Sequence, residues 1–149
     1  MSGIIDTIGP LLDRAHSSLE RNLDRATATN ANMLHAHVTK GIRDQRWKYL
    51  WASLKPDTII RKRLKGFDPR ILIEGDPASS HDLWKSYEVQ RVQSGVYDVG
   101  SDAPYARAHE RGYEAGGIPA RPAFQPALDE TVDEMVENWR DAVKESFGG

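Results

Sequence analysis

The chain has 149 residues, enough for one domain with its own core or two small ones, and it contains no cysteine. That excludes disulfides, thiolate metal sites and a cysteine nucleophile. Lys plus Arg number 20 and Asp plus Glu 22, giving a net charge of -2, so partner choice cannot follow from overall charge.

The distribution of charge is uneven. Residues 40–70 carry ten Lys or Arg against three Asp, whereas residues 128–149 carry seven Asp or Glu against two basic residues. Such asymmetry can steer partners or suit head-to-tail subunit contacts, and it equally describes two solvated faces of opposite sign. The longest apolar runs are three or four residues, far below the roughly 20 that span a bilayer. The first residues lack both a basic region and a long apolar stretch, so no signal peptide is read and a soluble protein that stays where it is made is expected.

In chain order, Ile4, Ile5, Ile8, Leu11, Leu12, Ala15, Leu19 and Leu23 recur at helical spacing. Gly9-Pro10 places the start of the regular helix at Pro10, a residue suited to a first turn. Residues 26–32, rich in Thr, Asn and Ala, are either more of this helix or a bend before Met33, Leu34, Val38 and Ile42. Trp47, Leu50, Trp51 and Leu54 read as a helical core stripe. After Lys55-Pro56, a short helix capped by Asp57 or Thr58 is expected to reach Leu64. Gly66-Phe67-Asp68-Pro69 reads as a turn. Ile71-Leu72-Ile73 is a short strand or the lead into Gly75-Asp76-Pro77, and Ser79 or Ser80 caps a brief helix with Leu83 and Trp84. Two β-rich runs around Gln93-Ser94-Gly95 predict a hairpin over about 87–100. Pro104 to Arg111 is a short helix closed by Gly112. Residues 116–122, with two prolines and two glycines, form an irregular loop. Leu128, Val132, Met135, Val136, Trp139 and Val143 mark a last helix over about 125–146. The sum is an α+β fold, one domain over 1–149 in which 1–45 is a helical N-terminal extension. A long first helix, a small antiparallel sheet containing the hairpin and a Pro-rich loop precede a C-terminal helix packed on the sheet.

One ordered set of residues stands out. Val99-Gly100 is followed by Tyr105-Ala106, then His109-Glu110-Arg111-Gly112, then Ile118-Pro119-Ala120-Arg121-Pro122-Ala123-Phe124 and the last helix. This resembles the virion morphogenesis, or tail-completion, family of tailed bacteriophages. The likeness covers about the C-terminal two thirds and is strongest between Val99 and Phe124; Ala123 interrupts the family's Pro-Phe, and the first 45 residues match no motif. The resemblance implies a non-enzymatic structural protein of the virion, assembled in the host cytoplasm. It implies a homo-oligomeric ring, hexameric in many neck assemblies, that meets adaptor or stopper, tail terminator or tube proteins, with genome DNA in the lumen as a non-specific contact. It implies no cofactor. A tail terminator ring is the nearest alternative.

The resemblance makes Tyr105, His109, Gly112, Ile118, Pro119, Arg121, Pro122 and Phe124 candidate interface or motif residues, and physical chemistry supplies a reason for the loop among them. Pro119 and Pro122 fix two torsions, Ile118 and Phe124 anchor the ends by burial, and Arg121 offers a rigid fork of donors to a neighbour. The competing role for Arg121 is to cap the preceding helix within its own chain. Arg61, Lys62, Arg63 and Lys65 form a candidate electrostatic contact. With Trp47, Tyr49 and Trp51 nearby they also allow a small DNA-binding protein, although the tryptophans suit a core stripe better. Reversing Arg121, or the Arg61-Lys62-Arg63 charges, is expected to abolish assembly and leave the monomer folded. His109-Glu110 suggests a metal or acid–base site, but the position four residues after His109 is Tyr113, so the zincin pattern fails. The expectation for His109 is a partly buried histidine bonded to a neighbouring segment. No nucleophile elbow or Gly-rich phosphate loop is present, and neither an enzyme nor a metal site is expected.

Overall fold

A computed structural model describes residues 2–73 and 83–148, with side chains from residue 8 onward. Helix α1 (Ser2–Arg43) leads into a 3-10 turn (Lys48–Leu50) and helix α2 (Pro56–Leu64). A second 3-10 turn (Leu83–Ser86) opens the hairpin of strands β1 (Tyr87–Gln93) and β2 (Val96–Ser101). Helix α3 (Pro104–Arg111), a 3-10 turn (Glu114–Gly116) and helix α4 (Phe124–Gly148) complete the fold.

The first helix does not begin at Pro10. It continues on both sides of that residue, because a proline removes one intrahelical bond, to the carbonyl of residue 6, and here that loss falls within the first turns. The Thr- and Asn-rich stretch also stays helical. Thr27, Thr29 and Thr39 hydroxyls donate to the carbonyls of Leu23, Arg25 and His35, and the Asn32 amide donates to Ala28, so these side chains satisfy themselves along the helix. Ala26 and Ala31 are buried there, and small side chains let α4 approach closely.

α4 runs antiparallel to α1. The Asn22 amide donates to Ser146 Oγ at 3.0 Å, the Asn30 amide donates to the Met135 carbonyl at 3.0 Å, and His37 Nε2 meets Glu130 Oε2 at 2.6 Å. Asn30 is 2% exposed and its oxygen accepts from the Asn138 amide at 2.7 Å, so the polar group inside the helix pair is met on both sides. α4 also packs on the sheet through its first residue: the Phe124 and Tyr87 rings stack with centroids 6.3 Å apart. The hairpin, the 3-10 turn that opens it and α4 all meet α1, which serves as the spine.

The hairpin pairs Tyr87 with Ser101 through Arg91 with Tyr97, and its register shifts between Arg91 and Gln93. Gly95, at φ +75°, makes the turn, and its N–H donates to Asp24 Oδ1 of α1 at 2.7 Å. Arg91 lies 3.4 Å from the same carboxylate. These bonds tie the hairpin tip to the spine.

Leu34, Val38 and Ile42 of α1, Trp47, Trp51, Ile73, Leu83, Tyr87, Ala127 and Met135 form the core. The expected Trp-Leu helix between them is a single 3-10 turn; Trp47 and Trp51 are buried as expected, but Leu50 is 51% exposed. The two indoles are fixed by their N–H groups, Trp47 to Glu130 Oε1 at 3.0 Å and Trp51 to the Pro122 carbonyl at 2.7 Å. α2 begins at Pro56 rather than behind an Asp57 or Thr58 cap, because Lys55, held extended before a proline, takes the cap position. No strand forms at 71–73. The Gln45 side chain holds that segment instead, accepting from Leu72 N at 2.7 Å and donating to the Ile73 carbonyl at 3.3 Å. The predicted caps Ser79 and Ser80 and the Gly75-Asp76-Pro77 turn lie outside the described residues.

Glu130 collects His37, Trp47 and Arg46 (Nε at 2.9 Å). The His37 bond, then the Trp47 and Arg46 bonds, outweigh partial burial and hold its carboxyl at about 2. A carboxyl depressed in the folded state stabilises the fold above its unfolded pKa and loses that contribution as pH falls through the folded value. Stability should therefore drop between about pH 4.5 and 2, and Glu130→Gln should flatten that acid limb in urea melts. An unchanged limb would place the dependence on other carboxylates.

Candidate interaction site

The motif residues fold into a bracket between α3 and α4. Gly112 ends α3 at φ +80°, and a Cβ there would stand 3.0 Å from Ala120 N and 3.2 Å from the Ile118 carbonyl, so only glycine fits. Tyr113 and Ile118 exchange backbone bonds of 2.8 and 3.0 Å, closing the loop between them. Arg121 N donates to the His109 carbonyl at 2.6 Å. Tyr105 packs at the core margin, and Ile118, Pro119, Pro122 and Phe124 are half-buried rather than fully buried anchors.

Glu110, which the sequence offers only as a neighbour of His109 or as a carboxylate paired with Glu114, performs the central task. Its Oε2 accepts from Ala123 N at 2.9 Å and Phe124 N at 3.0 Å, and its Oε1 accepts from Gln125 N at 2.9 Å. It caps α4 from another helix, with a negative charge at the positive end of the dipole. The residue between Pro122 and Phe124 has a place in this arrangement, since Ala123 is 1% exposed and supplies one of the capped N–H groups.

Arg121 faces inward. It is 6% exposed, its Nε donates to the Ala52 carbonyl at 3.0 Å and its Nη2 to the Ser53 carbonyl at 3.5 Å. The fork that the sequence offers to a neighbour thus clasps the chain's own segment before α2, while the backbone N–H of Arg121, not its fork, meets the last turn of α3 at the His109 carbonyl. Burial lowers the Arg121 pKa from its usual value, and no described carboxylate lies within ion-pair distance.

His109 is shielded as expected, but its Nδ1 has no partner among the described residues. Burial first, and the Arg121 charge second, push its pKa down, which favours the neutral ring. The described residues contain no cluster of three potential metal ligands.

Between the bracket and α2 lies a cleft of about 740 Å³, lined by Lys55, Arg61, Lys62, His109, Ile118 and Arg121 among others, and by no carboxylate among the described residues. The fold thereby joins two groups of residues that are separate in the sequence. Arg61 and Arg63 on α2 and Lys65 just after it are exposed, while Lys62 turns inward and donates to the Ile71 carbonyl at 2.6 Å. Of the aromatics near this basic run, Trp47 and Trp51 are buried and Tyr49 is 77% exposed. No helix among the described residues is long and apolar enough to cross a membrane.

No protein-family model, curated protein or solved structure matches this chain.

Proposed function

We propose that the protein is a structural, non-enzymatic component of a tailed-phage neck, a tail-completion or head–tail joining protein that assembles as a closed homo-oligomeric ring, in many such necks a hexamer. The observation that carries this reading is the opposition of charge between the basic α2 region and the acidic helix α4. The α2 region presents the exposed Arg61, Arg63 and Lys65, and Arg61 also lines the cationic cleft. α4, 25 residues and roughly 37 Å long, carries seven carboxylates from Asp129 to Glu145 against Arg140 and Lys144. A ring requires two different surfaces that complement each other, and linked contacts multiply weak individual affinities. The ordered Val99-to-Phe124 motif adds the family likeness, and its Arg121 ties the segment ahead of α2 to the lead into α4.

The purified protein is expected to show a ring mass, and imaging of particles is expected to find it between portal and tail tube. Density one layer nearer the tube would favour a tail terminator. Charge reversal of Arg61, Arg63 and Lys65 together should convert the oligomer to monomer with an unchanged circular dichroism spectrum; a persistent oligomer would remove the electrostatic contact. The DNA-binding alternative keeps only Tyr49 as an exposed aromatic, since both tryptophans are in the core. Duplex binding that weakens steeply with salt would restore it.

A further inference from the structure

Among the described residues two helical surfaces are left uncovered, one on α1 and one on α2. α4 ends beside Asn22, through the Asn22–Ser146 bond. α1 continues past that point for some twenty residues, roughly 30 Å. Along this overhang Ile8, Leu12, Ala15 and Leu19 repeat at helical steps on the face that carries Asn22, Ala26 and Asn30 against α4. The seam continues where its cover stops. Ile8, Leu11 and Leu12 are 47, 57 and 64% exposed, and at the end of α4 Val143 and Phe147 are 41 and 66% exposed. The overhang and the end of α4 form an apolar corner, and α4 along its length carries seven carboxylates against Arg140 and Lys144.

The second surface is α2. None of its residues is buried. Ile60 and Leu64 are 55 and 82% exposed, flanked by the exposed Arg61, Arg63 and Lys65. A nine-residue helix is roughly 14 Å long, which fits within the overhang. It cannot reach the overhang of its own chain, because it sits beside the start of α4 and the corner lies at that helix's far end.

The geometry points to a second copy of this chain as the partner: α2 of one copy lies across the α1 overhang of the next. Ile60 and Leu64 cover Ile8, Leu11 and Leu12, and the basic residues face the acidic side of α4. This rests on the ring reading and supplies its contact. Each copy uses two different surfaces once, so the contact is heterologous and propagates head to tail. A lipid surface is a poorer occupant, because the overhang balances Asp13 and Glu20 with Arg14 and Arg21, whereas membrane-surface helices are typically cationic on their polar face.

The absence of cysteine makes the test direct. A chain carrying both Leu12→Cys and Leu64→Cys should give, on mild oxidation, a covalent ladder that stops at the closed oligomer, and neither single variant should. Covalent dimers from Leu12→Cys alone would overturn the contact in favour of paired overhangs. Leu12→Glu and Leu64→Glu proteins should each be monomeric, folded by circular dichroism, and should combine one to one into a dimer when mixed. Self-association surviving either substitution, no dimer on mixing, or loss of wild-type oligomer to neutral lipid vesicles would also overturn it. If imaging places the protein in a neck ring but no ladder forms, the contact falls and the neck reading stands. A ladder from a chain that no particle contains supports the contact and removes the neck reading.

Discussion

Trp47→Ala is expected to lower the folding free energy by about 3–5 kcal/mol, the range for deleting a large buried aromatic, and so to consume much of a typical domain's ~5–15 kcal/mol. Trp47 has no exposed surface. Its ring lies over Gly41 so closely that a Cβ at that position would stand 2.2 Å from the indole, and its edge meets His37 with centroids 5.9 Å apart. The indole N–H is one of three donors on Glu130. Truncation therefore opens a void in the joint between α1, the 3-10 turn and α4, and takes a donor from the carboxylate that binds α1 to α4. Gly41→Ala alone should also destabilise, by about 1–3 kcal/mol through overpacking. The double variant Gly41→Ala/Trp47→Ala should lose less than the sum of the singles, because the new methyl enters the space the indole vacates. Urea melts followed by circular dichroism measure all three. Additive losses would show that the close contact of Gly41 with Trp47 does not govern either cost.

That joint shows which parts of the fold the sequence could disclose. Periodicity reveals α1 and α4, because each buries one face along its length, and β-rich runs around Ser94-Gly95 reveal the hairpin. Local chemistry also places the Pro104-to-Gly112 helix. What stays hidden is long-range. Leu50 has the spacing of a core residue, but the chain leaves the helical path after one 3-10 turn, and spacing then loses its meaning. Gln45 holds 72–73 from 27 residues away, and Glu110 caps a helix that starts 14 residues later. Neither has a local signature, since capping patterns in sequence place the cap within three residues of the helix start. The Pro10 misreading has the opposite cause, a local rule applied where one lost bond is tolerable within a 42-residue helix. For the candidate site, the motif positions and the basic run are legible as residues. Their meeting around one cleft is not, because it depends on how α2 folds back over the bracket.

Arg121 carries the largest revision of that site, and its variants separate folding from assembly. Arg121→Glu is expected to destabilise the monomer by about 3–5 kcal/mol, the cost of leaving a buried charge uncompensated. It would place a carboxylate against the carbonyls of Ala52 and Ser53, both acceptors, so each hydrogen bond becomes a repulsion. Arg121→Ala should cost about 1–3 kcal/mol, nearer the lower figure where water reaches the freed carbonyls. Arg121→Lys keeps the charge but not the planar fork, and should fall below Ala in cost. Loss of assembly in these variants should track their melting midpoints, since the guanidinium holds the segment ahead of α2 rather than a neighbour. The Arg61, Arg63 and Lys65 reversals should behave in the opposite way, losing the oligomer with the midpoint of the monomer unchanged. An Arg121→Glu protein that melts like wild type but fails to assemble would return this residue to the interface. It would require the fork to leave Ala52 and Ser53 when subunits meet.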